Sequence, residues 1–178
     1  MRIIGGKYRG KKLISPSSEN VRPTSDKARE ALFNILRSRL SGGFAQLKLV
    51  DIFAGSGAFA LEALSQGFAK VAMVDIDTKD LLKNVALFDN EKNNIKIVKC
   101  DVNRLSEMTE QYDVLFMDAP YNKGLSEVAL EKIATSLKKG ALCIIELEKN
   151  EICNLPNSYR LLDERRYGIA KFLIAEVI

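Results

Sequence analysis

The chain has 178 residues, enough for one domain but short of the length at which a hydrophobic core divides in two. Its 47% hydrophobic and 28% charged residues, with only 4 prolines and 11 glycines, exclude a disordered or collagen-like chain. It contains no histidine, which excludes imidazole general bases, Ser-His-Asp triads and histidine-ligated zinc. We therefore expect chemistry that depends on carboxylates, lysines, hydroxyls, backbone groups or a cofactor.

The net charge of +4 is unevenly distributed along the chain. Residues 1–41 carry ten Lys and Arg against three Asp and Glu, a net charge of +7, whereas residues 42–178 have a net charge of −3. A basic segment of this kind is either a solvated surface or an electrostatic contact for a polyanion. The three cysteines, Cys100, Cys143 and Cys153, form no CxxC pair, and no long apolar run is present. We therefore expect a cytoplasmic protein with free thiols, no metal site and no membrane segment.

The predicted elements begin with this basic N-terminal part. Residues 3–14 predict a glycine-bent β-hairpin that carries Arg9, Lys11 and Lys12. Residues 26–40 predict an amphipathic helix. Its apolar stripe consists of Ala28, Leu32, Ile35, Leu36 and Leu40. Arg29, Phe33 and Arg37 follow one another at a spacing of four residues, and we expect this second stripe on the protein surface.

From about residue 47 onward, strand-like and helix-like segments alternate. Strands are predicted over residues 47–53, 70–76, 95–100, 112–117 and 141–147, and two more over 159–164 and 170–178 flank the turn at Tyr167-Gly168. Helices are predicted over residues 59–64, from an N-cap at Thr78 through Leu81, Leu82, Val85 and Ala86, and over 124–139. This order predicts an α/β fold with a doubly wound, Rossmann-like, mostly parallel sheet and an antiparallel C-terminal hairpin. We expect a single domain over 1–178, with 1–41 as an N-terminal extension of a core at 42–178.

Acidic and glycine residues follow the predicted strands at their carboxyl ends, where sheets of this type bind ligands. The first strand runs from Asp51 into a glycine turn whose spacing, Gly55-x-Gly57-x-x-Ala60, also fits a dinucleotide-binding loop. At the end of the second strand, the Asp75 carboxylate could accept hydrogen bonds from both hydroxyls of a ribose. Asp77 favours a helix-capping role, and Asp101, after the third strand, fits an adenine contact and a cap equally well.

The fourth strand is followed by Asp118-Ala119-Pro120-Tyr121, which suits methyl transfer to an amine. The lone pair of an exocyclic base amine is delocalised into the ring, which makes this amine a poor nucleophile. A carboxylate and a backbone carbonyl can hold its N–H groups and take up the developing positive charge, while an aromatic ring stacks on the base. Such a site needs no histidine.

The order of these motifs resembles that of class I S-adenosylmethionine-dependent methyltransferases. Residues 118–121 resemble the (D/N)PP(Y/F) signature of amino-group nucleic-acid methylases. In the N-terminal part, residues 2–6, 9–13 and 22–34 resemble RsmD-type ribosomal RNA methylases, and this similarity covers nearly the whole chain. Members of that family methylate the exocyclic amine of a guanine in small-subunit ribosomal RNA.

The resemblance implies a role for three groups of residues. S-adenosylmethionine would contact Asp51, Phe53, Gly55, Gly57, Asp75, Ile76, Asp101 and Val102. Asp118 and the Ala119 carbonyl would hold the target amine, next to Pro120, and Tyr121 would stack on the flipped guanine. RNA would contact Arg9, Lys11, Lys12, Arg22, Thr24, Arg29 and Arg37. The implied partner is ribosomal RNA or an assembling small ribosomal subunit, bound by a monomer without metal. The family usually has proline where this chain has Ala119, so the carbonyl is kept but its fixed φ is lost.

Two other functions remain open from the residues alone. An NAD-dependent oxidoreductase would account for the glycine spacing and Asp75 but leaves residues 118–121 unexplained. A non-catalytic RNA-binding module would account for the basic N-terminal part alone. Adenine also carries an exocyclic amine, so the motif does not distinguish it from guanine as the target base.

Overall fold

The computed structural model describes residues 1–15, 25–121 and 124–178, so that the expected RNA contacts of Arg22 and Thr24 lie outside the described residues. The described residues contain four α-helices: α1 (Asp26–Arg39), α2 (Ala58–Ser65), α3 (Lys79–Val85) and α4 (Leu125–Ile133). In the same part of the chain there are seven strands: β1 (Lys48–Ile52), β2 (Lys70–Asp75), β3 (Ile95–Lys99), β4 (Tyr112–Asp118), β5 (Leu137–Glu148), β6 (Tyr159–Tyr167) and β7 (Ala170–Val177). Short 3-10 turns occur at Gly6–Tyr8, Val102–Arg104 and Ala134–Ser136, and a longer 3-10 segment, kinked at Phe88, spans Ala86–Asn94.

The strands form one sheet in the order β3-β2-β1-β4-β5-β7-β6. Strands β3, β2, β1, β4 and β5 are parallel, whereas β7 is antiparallel to both β5 and β6. The predicted α/β fold, with a doubly wound sheet and an antiparallel C-terminal hairpin, is therefore confirmed. The chain direction across the sheet reverses between β1 and β4, and ligands of such sheets bind beside the carboxyl ends at this reversal.

Two apolar clusters cover the two faces of the sheet. The first contains side chains of α1, α2 and α3, and the second contains side chains of α4. In the first, the ring of Phe59 stacks on Phe116 at 3.7 Å between centroids, and Phe33 stacks on Phe59 at 4.9 Å. Phe33 is only 1% exposed, which shows that its expected position on the surface is wrong.

The N-terminal part contains a turn with less strand pairing than predicted. A single antiparallel bridge joins Arg2 to Lys12, and the tip is the 3-10 turn at Gly6–Tyr8. The reason is that the amides of Ile4, Gly5 and Tyr8 donate to side chains of α2. Residues 1–15 therefore pack against the core through the side chains of the neighbouring helices.

Two predicted helix boundaries also differ. The helix expected over 124–139 ends at Ile133, and Lys138, Lys139 and Gly140 belong to β5. Leu137 pairs with Tyr112 and is buried, which places the lysines on a strand. Lys138 binds Asp113 at 2.6 Å.

The start of α3 also departs from the sequence-based expectation. Its N-cap is Thr78, but the Thr78 side chain makes no capping bond. Instead, Asp77 Oδ1 accepts from the Lys79 amide at 3.1 Å, which agrees with the helix-capping role expected for Asp77. The α-helix ends at Val85, before Ala86, and Leu82 is exposed. Among the described residues, no helix combines the length and the apolar character needed to cross a membrane.

Candidate active site

Four acidic residues lie on one face of the sheet at the carboxyl ends of four adjacent strands. In register, Asp51 of β1 is the partner of Met73 and Phe116. Because side chains alternate along a strand, residues two positions further on, Asp75 and Asp118, share the face of Asp51. Asp118 is in turn the register partner of Glu146 on β5. We call Asp75, Asp51, Asp118 and Glu146 the acidic row; it crosses the point where the strand order reverses.

Asp51 is the acidic residue of β1, and its side chain is buried. It is 1% exposed, and neither carboxylate oxygen has a hydrogen-bond partner among the described residues. Burial raises its pKa well above the usual value, and the charge of Asp75 adds to this effect. The nearby Ala60 amide lowers this pKa in part, although it does not reach either oxygen with the geometry of a hydrogen bond. An unpartnered buried carboxyl group costs stability, and in a native protein it indicates a site where a ligand completes the bonding.

Asp118 has a raised pKa for similar reasons. Burial, followed by the charges of Glu146, Asp51 and Glu151, raises the pKa of this carboxyl to about 8. Glu146 is itself 4% exposed. Within residues 1–15, 25–121 and 124–178, no lysine or arginine forms an ion pair with Asp51, Asp75 or Asp118. The row therefore favours a cationic ligand or a group that donates several N–H bonds.

The turn after β1 contains backbone angles that favour glycine. Gly55 and Gly57 have φ of +54° and +76°. A Cβ on Gly57 would lie 2.9 Å from the sulfur of Met73, so a side chain here would strain the backbone and displace Met73. Phe53 also has a positive φ, of +64°, which is rare for a residue with a side chain. Such backbone strain concentrates at ligand-binding loops.

Asp75 joins this glycine turn to the start of α3. Its Oδ2 accepts from the Gly55 amide at 2.7 Å, and its Oδ1 accepts from the Asp77 amide at 2.9 Å. A carboxylate has about four acceptor sites, so each oxygen keeps capacity for a further donor such as a ribose hydroxyl. Ile76, directly after it, is 65% exposed.

Asp101 caps the short turn at Val102–Arg104. Its Oδ1 accepts from the amide and the side chain of Asn103, both at 2.9 Å, and these bonds lower the pKa of the carboxyl. The Cys100 amide donates to the Asp75 carbonyl at 3.0 Å, which ties the ends of β2 and β3 together. Val102 is buried. The structure thus shows the capping contact, one of the two interpretations that the sequence left open.

Beyond Asp118, the chain leaves the sheet through Ala119 and Pro120 to Tyr121. Ala119 is 4% exposed, Pro120 is exposed, and Tyr121 is 37% exposed. Burial, followed by the charge of Asp118, raises the pKa of the Tyr121 hydroxyl. The phenol therefore stays neutral, and its ring is open to solvent next to the acidic row.

Two of the expected RNA-contacting arginines line a single cavity. Arg9 and Arg37 are exposed on the rim of a cavity of about 570 Å³ between residues 2–10, α1 and Gln66, which Arg2 and Lys27 also line. Lys12 is exposed, whereas Lys11 is half-buried and places its ammonium 4.8 Å from the centre of the Phe88 ring.

Arg29 is a different case, and its expected role in binding RNA is wrong. Its side chain is 1% exposed. It donates to the Arg2 carbonyl at 2.6 Å and to Asp26 at 2.9 Å, and it lies 3.7 Å from Glu62 of α2. The N-terminal segment covers this side of α1, so Arg29 stabilises the packing of that segment on α1 and α2.

Sequence reasoning missed two buried residues that the structure places at the site. Glu146 stands at the end of a predicted strand, but only the pairing of β4 with β5 shows that it faces Asp118. Asn84 of α3 is 0% exposed and binds the Ser56 carbonyl inside the glycine turn at 2.9 Å. A polar residue on an otherwise apolar helix face was the available signal for Asn84.

Comparison with known proteins agrees with this geometry. The sequence matches the family described as Conserved hypothetical protein 95 over residues 1–176. The Ribosomal RNA small subunit methyltransferase D of Haemophilus influenzae is 33% identical over 187 residues, which cover 97% of this chain and 91% of that protein. Its Escherichia coli namesake is 33% identical over 175 residues, which cover 94% of this chain and 85% of that protein. The solved structure of yhhF from Escherichia coli superposes with a TM-score of 0.83 at 30% identity and covers 99% of this chain and 97% of that chain. With a family match over nearly its full length, the chain belongs to the Conserved hypothetical protein 95 family.

Proposed function

We propose that this protein transfers a methyl group from S-adenosylmethionine to the exocyclic amine of a guanine in small-subunit ribosomal RNA. The observation that carries the proposal is the acidic row, whose Asp51 carboxylate is buried with no partner. A cofactor with a positive charge and several N–H and O–H donors fits such a row. The relatives named as ribosomal RNA small subunit methyltransferases support the substrate and the reaction.

The chain offers suitable contacts for each part of the cofactor. Gly55, Gly57 and Asp51 would border its charged end, because the glycines leave space and the unpartnered Asp51 carboxyl would ionise more readily beside a bound cation. Asp75 would accept from the ribose hydroxyls with the acceptor capacity that its two backbone bonds leave. Phe53, Ile76, Val102 and Asp101 would complete the site on the adenine side. S-adenosylmethionine would supply a methyl group that is already activated on a positively charged sulfur.

The target amine would meet Asp118 and the carbonyl of Ala119. Both are acceptors, so they would orient the two N–H groups and stabilise positive charge that develops on the nitrogen. The nitrogen–carbon bond would form as the carbon–sulfur bond of the methyl donor breaks, and the amine would then lose one proton. A bound cationic cofactor would favour the ionised form of Asp118. The raised pKa of this carboxyl, about 8 in the ligand-free protein because of burial and its acidic neighbours, then suits it to take that proton. Tyr121 would hold the flipped base by stacking on it.

The basic N-terminal part would contact the RNA backbone through exposed cations. Arg9 and Arg37 are placed for this on the rim of one cavity, and Lys11 and Lys12 lie on the same segment. Arg22 and Thr24 remain proposed contacts from the sequence. We further propose that the protein acts in the cytoplasm as a metal-free monomer, with residues 1–41 and 42–178 in one domain, on free ribosomal RNA or an assembling subunit.

Substitution of Asp118 tests the proposal directly. We expect Asp118→Ala to lower the incorporation of labelled methyl groups into undermethylated ribosomal RNA by about 100-fold or more, because the amine loses its charged acceptor. The matched control is Asp89→Ala, which removes an exposed carboxylate paired with Lys92. Full activity in the Asp118 variant would contradict the role proposed for this residue.

Two further measurements separate the alternative functions. Calorimetric titration with S-adenosylmethionine and with NAD distinguishes a methyltransferase from an oxidoreductase. A protein that binds RNA but incorporates no label would be a binding module. Mass spectrometry of the modified nucleotide then decides between guanine and adenine.

A further inference from the structure

Asn84, on α3, connects two segments that are distant in sequence. Its side chain is 0% exposed. Its Oδ1 accepts from the Ile14 amide at 2.7 Å, and its Nδ2 donates to the Ile14 carbonyl at 3.0 Å. The same Nδ2 donates to the Ser56 carbonyl at 2.9 Å. One buried amide therefore binds both the N-terminal segment and the glycine turn.

The bond to Ser56 fixes the middle of the glycine turn. Gly55, before Ser56, is held by a hydrogen bond from its backbone amide to Asp75 at 2.7 Å. Gly57, after Ser56, is held by a hydrogen bond from its amide to the Ala54 carbonyl at 2.7 Å. The two glycines have little intrinsic preference for one backbone conformation. The direction of the Ser56 carbonyl between them therefore depends on its bond to Asn84.

The N-terminal segment determines which way the Asn84 amide points. The Ile14 N–H can only donate, so it must meet Oδ1. This places Nδ2, with its two hydrogens, toward the two carbonyl groups. Without Ile14, the amide could rotate and present its oxygen to the Ser56 carbonyl, which would repel it.

We propose that Asn84 is a positioning residue through which the docked N-terminal segment holds the glycine turn in the conformation that binds the cofactor. This inference rests on the proposed function, in which that turn contacts S-adenosylmethionine. It assigns residues 1–15 a second role besides contact with RNA: their attachment to α3 determines affinity for the methyl donor.

Ser65 provides a matched control. It is also buried, and its Oγ accepts from the Tyr8 amide at 2.9 Å and donates to the Gly5 carbonyl at 2.5 Å. Like Asn84, it makes two bonds to the backbone of the N-terminal segment. It lies at the C-terminal end of α2, so its bonds hold the segment without reaching the glycine turn.

The test is the dissociation constant of S-adenosylmethionine, measured by calorimetry for the wild type, Asn84→Ala and Ser65→Ala. We expect Asn84→Ala to weaken binding about tenfold, the effect of losing one buried hydrogen bond, and Ser65→Ala to change it less than twofold. Thermal unfolding of both variants shows whether they lose comparable stability. Equal effects of the two substitutions on the dissociation constant, or none from Asn84→Ala, would overturn the inference.

A second pair of variants covers the case in which Asn84→Ala does not fold. Ile14→Pro removes the N–H that orients the Asn84 amide, and Ile14→Ala keeps it; the Ile14 side chain is 42% exposed, so the shared loss of side chain matters little. We expect weaker cofactor binding from Ile14→Pro alone, and equal binding by the two variants would refute the connection through Ile14. A wild-type protein that does not bind S-adenosylmethionine would instead refute the proposed function.

Discussion

The acidic row and the basic N-terminal part carry opposite charges, and they also differ in how those charges meet solvent. Asp51 is buried on a central strand and has no ion-pair partner among the described residues, whereas Arg9, Lys12 and Arg37 are exposed. A buried charge without a counter-charge destabilises the protein and is explained by a bound ligand, while exposed charges cost little and can meet a polyanion. The comparison therefore supports two separate proposals, a site for a small cationic ligand at the acidic row and a contact surface for RNA on the N-terminal part.

Arg29 breaks this pattern and gives the largest expected effect on stability. It is a buried cation of the N-terminal part that donates to the Arg2 carbonyl and Asp26 and lies 3.7 Å from Glu62. We expect Arg29→Met to lower the free energy of unfolding by about 3 kcal/mol, because Glu62 keeps a buried charge without its counter-charge. Arg37→Met, about two helical turns further along α1, should change the free energy of unfolding by less than about 0.5 kcal/mol. Urea unfolding of both variants measures this, and equal losses would show that Arg29 is not a structural cation.

The raised pKa of Asp118 in the acidic row predicts that the free energy of unfolding falls as pH rises. The Asp118 carboxyl has a pKa of about 8 in the folded protein, against 3.8 for an unperturbed group, chiefly because of burial. Between these values the folded state keeps a proton that the unfolded state releases. Asp118 therefore lowers the free energy of unfolding by at most about 1.4 kcal/mol per pH unit, from about pH 4 to about pH 8.

Asp118→Asn removes this titration, so we expect the variant to gain stability relative to the wild type as pH increases. Urea unfolding of the ligand-free proteins from about pH 5 to about pH 8 measures the difference. Asp89→Asn, at an exposed position, serves as the control for the change in net charge. A constant difference between Asp118→Asn and the wild type across this range would show that Asp118 is already ionised.

The sequence predicts the acidic row better than the basic N-terminal part for a physical reason. Residues that end parallel strands reach the same edge whatever the details of packing, so Asp51, Asp75 and Asp118 could be placed by counting strands. Burial of Arg29 depends on a segment that folds back over α1, which helical periodicity does not describe. Glu146 was missed because its neighbour across the sheet is set by the pairing of β4 and β5.

Local signals also failed where tertiary contacts prevailed. Lys138, Lys139 and Gly140 are typical of a helix end, yet they form the start of β5, where Leu137 pairs with Tyr112. The predicted hairpin became a turn with one bridge because Glu62 and Ser65 of α2 bind its amides. In both cases, partners far along the chain satisfied backbone or apolar groups that local rules assign to neighbours.

The exposed cations give the smallest expected effect, but it is the one that distinguishes an RNA surface from solvated charge. Each lysine or arginine that neutralises a phosphate releases counterions, so affinity falls with salt in proportion to the number of such contacts. Arg9→Met and Arg37→Met should each lower the slope of log affinity against log salt by about one, and the double variant by about two.

Arg160→Met is the control, because Arg160 is an exposed cation on β6 that is paired with Glu176 at 2.6 Å. Fluorescence titration of a ribosomal RNA fragment at several salt concentrations measures these slopes. Equal slopes for the wild type and all four variants would mean that the cavity rim does not contact the RNA backbone, whereas a loss confined to the Arg9 and Arg37 variants would separate the RNA surface from the acidic row.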